Sequence, residues 1–284
     1  MKSKLILSIL STWCTLLQAQ KAVLDIRYAT VDNMDLKMDL YMPDQISNPY
    51  LVIWVHGGAW HSGSKSDPPM DLLKKGYAMA SIDYRSTVMA KFPAFIHDVK
   101  AAVRFLRANA SQFKINSDKI FLWGSSAGGH LAALAGMTNG VKELEGTIGT
   151  DLATSSQVQG IIDFFGPGNL STIMSQSTPH GIAVRGPALA LMFGKPLEQS
   201  KDDLMKASPV SYVTSDDPPL FICHGDQDIQ VPINQSIELY GSYRALGLKV
   251  QLEFVYGAGH GGRQYNEPAL INKVDAFLKS IIGQ

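Results

Sequence analysis

Hydrophobic runs alternate with amphipathic stretches along most of the chain, and this alternation predicts the order of strands and helices. The first two strand candidates alternate between apolar and polar positions, which favours an antiparallel edge of a sheet. The third, fifth and seventh are continuously apolar, as is typical of strands covered on both faces. The eight strand candidates are Val23–Thr30, Leu36–Met42, Leu51–Val55, Tyr77–Tyr84, Lys119–Trp123, Val158–Phe165, Leu220–Cys223 and Lys249–Val255.

Helical periodicity separates most of these strands. Pro93 suits the first turn of a helix, where a missing N–H costs nothing, and apolar residues follow it at spacings of three and four. Further helices are predicted over 67–75, 127–137, 232–246 and 265–282. Because strands alternate with helices, the pattern predicts an α/β fold with an eight-stranded, mostly parallel sheet and helices on both faces.

One segment breaks the alternation. Residues 166–208 contain no clear strand, and their apolar residues are scattered among polar ones. A long irregular insertion in a compact domain is usually a lid or a binding loop, and we predict a lid or a pocket wall here. The alternative is an ordinary connecting helix packed on the sheet. Since no linker divides the chain, residues 20–284 are expected to form one domain.

The first 19 residues have the pattern of a secretory signal peptide. Lys2 and Lys4 form a positive start, an apolar stretch follows, and Ala19 is a small residue suited to cleavage. The apolar stretch is shorter than the roughly 20 residues that a membrane-spanning helix needs, so no stable membrane insertion is expected after cleavage. A lipid attached to Cys14 is disfavoured by the bulky Trp13 before it. A secreted or periplasmic protein is therefore predicted.

Composition excludes several classes of function. Lys and Arg total 25 and Asp and Glu total 25, so no basic surplus points to nucleic acid. Of the two cysteines, Cys14 lies in the predicted signal, and Cys223 lies in an apolar strand, where a core role is expected. No histidine pair has metal-ligating spacing, and no Gly-rich phosphate loop follows the first strand–helix turn, so neither a metal nor a cofactor is predicted.

The residues Gly124-x-Ser126-x-Gly128 stand between a predicted strand and a predicted helix. A serine on such a tight strand-to-helix turn presents its hydroxyl at the C-terminal edge of the sheet, as a nucleophile requires. The pentapeptide alone is a weak signal, and its alternative is a Gly-Ser turn that caps the helix. The strand before it and the helix after it favour a nucleophilic Ser126.

A serine hydroxyl needs a base, and the base needs an acid that fixes its tautomer. His260 follows the last predicted strand in a glycine-rich loop, at the sheet edge where ligands of parallel sheets bind. Asp226 and Asp228 both follow the preceding strand. Asp226 is interpreted as a turn-forming carboxylate, and Asp163, at the end of an earlier strand, is a distant third candidate. The chain order Ser126, Asp228, His260 is the order of a hydrolase triad.

An oxyanion hole is predicted where two glycines follow the third strand. Acyl transfer develops negative charge on the carbonyl oxygen, and fixed backbone N–H groups stabilise that charge. Gly57 and Gly58 have no side chain in the way, and the N–H of Ala127, directly after the nucleophile, supplies a further donor. The alternative for a paired glycine is a tight turn. His56 and His224 are expected to hydrogen-bond the loops beside this site.

Five motifs together resemble the α/β-hydrolase esterases, in the branch related to hormone-sensitive lipase, and within it bacterial feruloyl- and acetyl-esterase-like proteins. The resemblance covers nearly all of residues 22–282. The motifs are His56-Gly57-Gly58-Ala59-Trp60, Asp83-Tyr84-Arg85, Gly124-Ser125-Ser126-Ala127-Gly128-Gly129-His130, Ala207-Ser208-Pro209 and the stretch from His224-Gly225-Asp226 to Val231-Pro232.

The resemblance implies an α/β-hydrolase fold. In the family, the second Asp of the His-Gly-x-x-Asp segment is the triad acid, so the resemblance assigns that role to Asp228. The family's oxyanion motif is often His-Gly-Gly-Gly. Here Ala59 replaces the third glycine, a variant also seen in related esterases and formamidases. This departure widens the range of substrates that the resemblance allows.

The residues and the resemblance predict a secreted serine carboxylic ester hydrolase that forms an acyl-enzyme. The expected substrates are acetyl or hydroxycinnamoyl (feruloyl) esters of carbohydrates. An arylformamidase or a serine exopeptidase on the same scaffold is the alternative among enzymes. A non-catalytic binding protein on a hydrolase scaffold is the alternative from a different class, and it is disfavoured because all three triad residue types are present.

Overall fold

In the computed structural model, residues 21–44 and 46–283 are described. The predicted signal peptide, with Cys14 and the predicted cleavage point at Ala19, lies outside the described residues. Among the residues that are described, no helix combines the length and the apolarity needed to cross a membrane.

All eight predicted strands are present and belong to one sheet. The strands are β1 (Lys21–Val31), β2 (Met34–Met42), β3 (Tyr50–Val55), β4 (Ala78–Ile82), β5 (Asn116–Ser125), β6 (Gly160–Phe164), β7 (Leu220–Gly225) and β8 (Val250–Val255). Their order across the sheet is β1-β2-β4-β3-β5-β6-β7-β8. β1 pairs antiparallel with β2, and β2 with β4, whereas the other neighbours pair in parallel. The prediction of a mostly parallel sheet with an antiparallel edge is confirmed.

Helices cover both faces of the sheet, as predicted. The helices are α1 (Asp71–Lys74), α2 (Ala94–Ala108), α3 (Ala110–Phe113), α4 (Ala127–Met137), α5 (Lys142–Glu145), α6 (Ile173–Gln176), α7 (Pro179–Phe193), α8 (Lys201–Lys206), α9 (Asn234–Ala245) and α10 (Pro268–Ile282). Side chains of β3 alternate between two cores: Leu51 and Ile53 belong to the core that includes residues of α2 and α4, and Val52 belongs to the core that includes residues of α10. Three 3₁₀ turns complete the described elements: Leu197–Gln199, Pro209–Tyr212 and Arg263–Asn266.

The expectation that residues 166–208 are irregular is wrong, because this segment is largely helical. Its main element is α7, whose first turn is capped by the Thr178 side chain, which accepts a hydrogen bond from the Gly181 N–H at 3.1 Å. Gly194, with φ of 69°, ends the helix in the left-handed conformation. Pro187 lies inside the helix and obscures its periodicity. Packing of one helix face against the rest of the protein overrides this unfavourable local propensity.

Candidate active site

Ser126 occupies the turn between β5 and α4, with φ of 53° and ψ of −120°. A non-glycine residue with positive φ is strained, and such strain persists only where the surrounding structure imposes it. Close approach of α4 to β3 imposes it here, since a Cβ atom on Gly128 would lie 2.0 Å from the carbonyl oxygen of Val55. The tight turn therefore requires glycine at position 128 and places Ser126 at the C-terminal edge of the sheet.

Three predicted side chains meet at this edge in a continuous chain of hydrogen bonds. The Ser126 Oγ lies 2.7 Å from Nε2 of His260. The Nδ1 of the same imidazole lies 2.7 Å from Oδ2 of Asp228. The loops after β7 and β8 bring Asp228 and His260 to Ser126, because the C-terminal ends of these parallel strands lie side by side.

The Asp228 carboxylate is fully buried and is held from several sides. Its Oδ1 accepts the backbone N–H groups of Gln230 and Val231 at 2.8 and 3.0 Å. His224 Nε2 lies 3.2 Å from Oδ2. Burial alone would raise the pKa of Asp228, but the hydrogen bonds from His224 and His260 outweigh burial and hold that pKa well below its usual value. Asp228 is therefore a carboxylate at neutral pH.

The rival carboxylates lie elsewhere. Asp226 is exposed, and its Oδ1 accepts the Gly257 N–H at 2.6 Å, which ties the two loops together. Asp163 is buried beneath the turn that carries Ser126, and its Oδ1 accepts the Gly166 N–H at 2.8 Å. Burial raises the pKa of Asp163 to about 6. Neither carboxylate hydrogen-bonds to His260, whose Nδ1 is occupied by Asp228.

The loop after β3 faces the nucleophile. A Cβ atom on Gly57 would lie 3.5 Å from the Cβ of Ser126, so the two backbones are neighbours. Within the described part of the chain, the N–H groups of Gly57, Gly58 and Ala127 donate to no backbone acceptor. Ala59, at the position of the family's third glycine, has φ of 49° and thus keeps a glycine-like backbone. Two N–H groups of this loop and the first N–H of α4 are thus without a backbone acceptor beside Ser126.

A cleft of about 510 Å³ opens over Ser126 and His260. Gly57, Gly58 and Ala59 of the loop after β3 form one wall, and Val184 and Arg185 of α7 form another. The predicted pocket-wall role of the 166–208 segment thus matches the position of α7, while a lid movement stays a prediction. His61 also lines the cleft, whereas His180 is exposed outside it.

A family model described as BD-FAE matches residues 38–243. The chain belongs to this family. Esterase LipC of Mycobacterium tuberculosis is 30% identical over 217 residues, which are 74% of this chain and 52% of that protein. The chain spans about half the length of the curated relatives it matches, for example 57% of an isoprenylcysteine α-carbonyl methylesterase of Arabidopsis thaliana.

Solved structures agree with this membership. A truncated carbohydrate esterase from gut microbiota superposes with a TM-score of 0.85 at 32% identity, covering 93% of this chain and 97% of that one. The propionate-bound esterase Est2 of Thermogutta terrifontis gives 0.74 at 27% identity, covering 90% and 93%. The BD-FAE chain therefore has the α/β-hydrolase fold of enzymes related to hormone-sensitive lipase, as the motifs predicted.

A second cavity of about 340 Å³ adjoins the cleft in this BD-FAE protein and shares Ser125, Phe165 and Gly261 with it. Phe165 has φ of 46°, a strained value for a large side chain, and its ring centroid lies 5.0 Å from that of His260. The other aromatic residues of the cavity are Trp54, Trp123, Phe164 and Tyr265.

Several residues around the BD-FAE site were not predicted from the sequence. His224 was expected to hold loops, and it also contacts the Asp228 carboxylate. Arg185, Gln230 and Phe165 line the cleft without any local motif that marks them. The signal that could have revealed Arg185 is a charged residue on the face of α7 that is otherwise small or apolar. Within the described residues, no group of three or more His, Cys, Asp or Glu side chains could hold a metal ion.

His130 connects three motifs of the family beneath the site. Its Nδ1 accepts the Trp60 indole N–H at 3.1 Å, and its Nε2–H donates to the carbonyl of Ala207 at 2.6 Å. The imidazole is therefore neutral, with the proton on Nε2. Burial lowers the pKa of His130 from 6.5 to about 4, although the hydrogen bond to Ala207 partly opposes this shift.

This shift predicts an acid-sensitive stability. The unfolded chain binds a proton at His130 more tightly than the folded protein does. The contribution of neutral His130 to the free energy of unfolding should therefore be fully present above pH 6.5 and should decline as the pH falls towards 4. The total loss from this group should approach about 3 kcal/mol. Urea unfolding of the wild type and of His130→Gln between pH 4 and 7 measures it. The variant should be less stable at pH 7 but should show a flatter pH dependence, and parallel curves would contradict the assignment.

Proposed function

We propose that this chain is a serine carboxylic ester hydrolase whose catalytic residues are Ser126, His260 and Asp228. The observation that carries the proposal is the continuous path from Ser126 Oγ through the imidazole to Asp228, with both links at 2.7 Å. Near Ser126, the N–H groups of Gly57, Gly58 and Ala127 donate to no backbone acceptor among the described residues. Each element alone occurs in non-catalytic proteins, but their combination fits nucleophilic acyl transfer.

Ser126 Oγ attacks the ester carbonyl carbon while His260 Nε2 takes the hydroxyl proton. The negative charge that forms on the carbonyl oxygen is stabilised by the N–H groups of Gly57, Gly58 and Ala127. The imidazolium is stabilised by Asp228, and it then gives its proton to the departing alcohol, which leaves an acyl group on Ser126. Water, deprotonated by the same imidazole, attacks the acyl-enzyme, and the acid is released as Ser126 regains its proton.

The proposed substrates are acetyl or hydroxycinnamoyl esters of carbohydrates. The similar structure described as a carbohydrate esterase supports the carbohydrate part. The aromatic cavity that adjoins the cleft at Ser125 supports a flat aromatic acyl group, because its walls offer stacking surfaces and Trp123 Nε1 has no hydrogen-bond partner among the described residues. The predicted signal peptide supports export of the enzyme to the periplasm or the medium, and export favours polymer-derived substrates.

Covalent labelling tests the nucleophile directly. A fluorophosphonate should add its phosphonyl mass to the wild-type protein, and peptide mapping should locate that mass on Ser126. Ser126→Ala should gain no mass, while Ser125→Ala, which changes the neighbouring serine, serves as the matched control and should still be labelled. Absence of labelling in the wild type would favour a non-catalytic binding protein.

A substrate panel separates the enzyme classes. Turnover of p-nitrophenyl acetate, methyl ferulate, N-formylkynurenine and a dipeptide amide is compared under one set of conditions. We expect the esters to be the best substrates. Faster cleavage of N-formylkynurenine would identify an arylformamidase, and faster cleavage of the dipeptide would identify an exopeptidase.

A further inference from the structure

Arg185 breaks the pattern of the helix that borders the cleft. The buried residues of α7 follow helical spacing, and all but one of them are small or apolar: Gly181, Arg185, Ala188, Leu189 and Met192. The exposed fraction of Arg185 is only 2%. A charged residue therefore occupies a position where a leucine or methionine would satisfy the fold.

The buried guanidinium is incompletely paired. Its Nη2 donates to Gln230 Oε1 at 3.1 Å. Within the described residues, Nε and Nη1 are buried and have no hydrogen-bond partner. The carboxylate that acts on Arg185 electrostatically is Asp228, whose oxygens are already engaged by two histidines and two backbone N–H groups.

Such an arrangement is unfavourable for stability alone. A buried charge without a full set of partners destabilises a protein, and an apolar residue of similar size at such a position is often neutral or stabilising. None of the described residues that line the cleft is acidic, so beyond the Asp228 carboxylate, which the histidines already engage, no acidic side chain of the cleft wall faces Arg185. The low local dielectric also strengthens the attraction of Arg185 for an anion in the cleft.

We propose that Arg185 forms an anion subsite of the cleft and binds a carboxylate carried by the substrate. This inference rests on the proposed function and names its substrate class: esters with a free carboxylate close to the scissile bond. The planar guanidinium matches a carboxylate through two parallel hydrogen bonds. The carboxylate belongs either to the alcohol, as in an O-acetylated uronic acid, or to the acyl group, as in a half-ester of a dicarboxylic acid.

Matched substrate pairs test this subsite. In the alcohol arm, an O-acetylated uronic acid is compared with the corresponding O-acetylated neutral hexose. In the acyl arm, monoethyl succinate is compared with its neutral amide, ethyl succinamate. The wild type should prefer the anionic member of at least one pair, in kcat/KM, by about 10- to 100-fold, as expected for hydrogen bonds to a charged group. The arm that shows the preference identifies which part of the substrate Arg185 binds.

Variants assign the preference to Arg185. Arg185→Met should bring the ratio close to one, mainly through a higher KM for the anionic ester, and Arg185→Lys should keep part of it. Arg263 is exposed three residues after His260, so Arg263→Gln removes the same charge outside the cleft and should keep the ratio. Thermal unfolding verifies that Arg185→Met is folded.

Two results would overturn the subsite. One is a wild-type ratio near one in both arms. The other is an equal loss on both members of the preferred pair in Arg185→Met, which would make Arg185 a structural residue. If neither anionic nor neutral esters, including p-nitrophenyl acetate, are hydrolysed, the proposed esterase function itself fails, and that outcome is distinct from both.

Discussion

Asp228→Asn is expected to lower kcat by up to about 10⁴-fold on any accepted ester, with the protein still folded. The carbonyl oxygen of the introduced Asn side chain can still accept hydrogen bonds from the backbone N–H groups of Gln230 and Val231, which Asp228 Oδ1 accepts in the wild type. Its NH₂ group, however, would face His260 Nδ1, which then has to be the unprotonated nitrogen. The proton moves to Nε2, so the imidazole can no longer take the proton of Ser126.

Asp226→Asn is the matched control for this prediction. Asp226 stands two positions away on the same loop, is exposed, and holds the Gly257 N–H at 2.6 Å rather than the imidazole. Initial-rate kinetics of both variants on p-nitrophenyl acetate, together with their thermal unfolding, make the comparison. Asp226→Asn should lose far less activity than Asp228→Asn. If Asp226→Asn were the more damaging substitution, the assignment of the acid would be wrong.

Gly58→Ala should reduce kcat by about 10²–10³-fold, the typical cost of losing one oxyanion donor. Gly58 has φ of 114°, and a Cβ atom there would lie 2.1 Å from the carbonyl oxygen of Ser62. The loop cannot simply widen, because the Gly58 carbonyl accepts the N–H groups of His61 and Ser62 at 3.1 and 3.0 Å. The added methyl group must therefore move the backbone and misalign the neighbouring donors.

Gly140→Ala separates this effect from general backbone strain. Gly140 also has positive φ, 76°, but a Cβ atom there would meet no atom within 4 Å. It lies between α4 and α5, away from the cleft, so its substitution should cost stability but little turnover. Saturation kinetics and thermal unfolding are measured for both variants. A loss of kcat in Gly58→Ala no larger than in Gly140→Ala would rule out a role of this loop in catalysis.

The elements that were predicted best are those with strong local signals. The bounds of α4, Ala127–Met137, match the prediction, because the elbow glycines and the alanine-rich run mark both ends. Strand bounds were less accurate: β5 begins at Asn116, three residues before the predicted start, with polar residues. Strand pairing uses backbone groups, which the hydrophobic pattern does not report.

A helix in the 166–208 segment was only the alternative prediction, for a related reason. Gly181, Gly186 and Pro187 all lower helix propensity, so the segment lacks the local preference that marks the other long helices. Burial of its face against the rest of the protein stabilises it, and that contact involves residues distant in sequence. Arg185 and Gln230 likewise meet at the cleft although 45 positions separate them, and no local pattern pairs them.

The amino-acid sequence by itself determined the alternation of strands and helices and the tight strand-to-helix turn around Ser126. It also determined the order of serine, acid and histidine along the chain. These follow from short-range stereochemistry and hydrophobic periodicity. The family resemblance favoured Asp228 over Asp226, but only the tertiary structure showed which of the two faces His260, and only it showed that a charged side chain, Arg185, lines the cleft. The difference arises because side-chain direction in a loop depends on the neighbours that the folded sheet brings to it, such as Gly257 for Asp226 and His224 for Asp228.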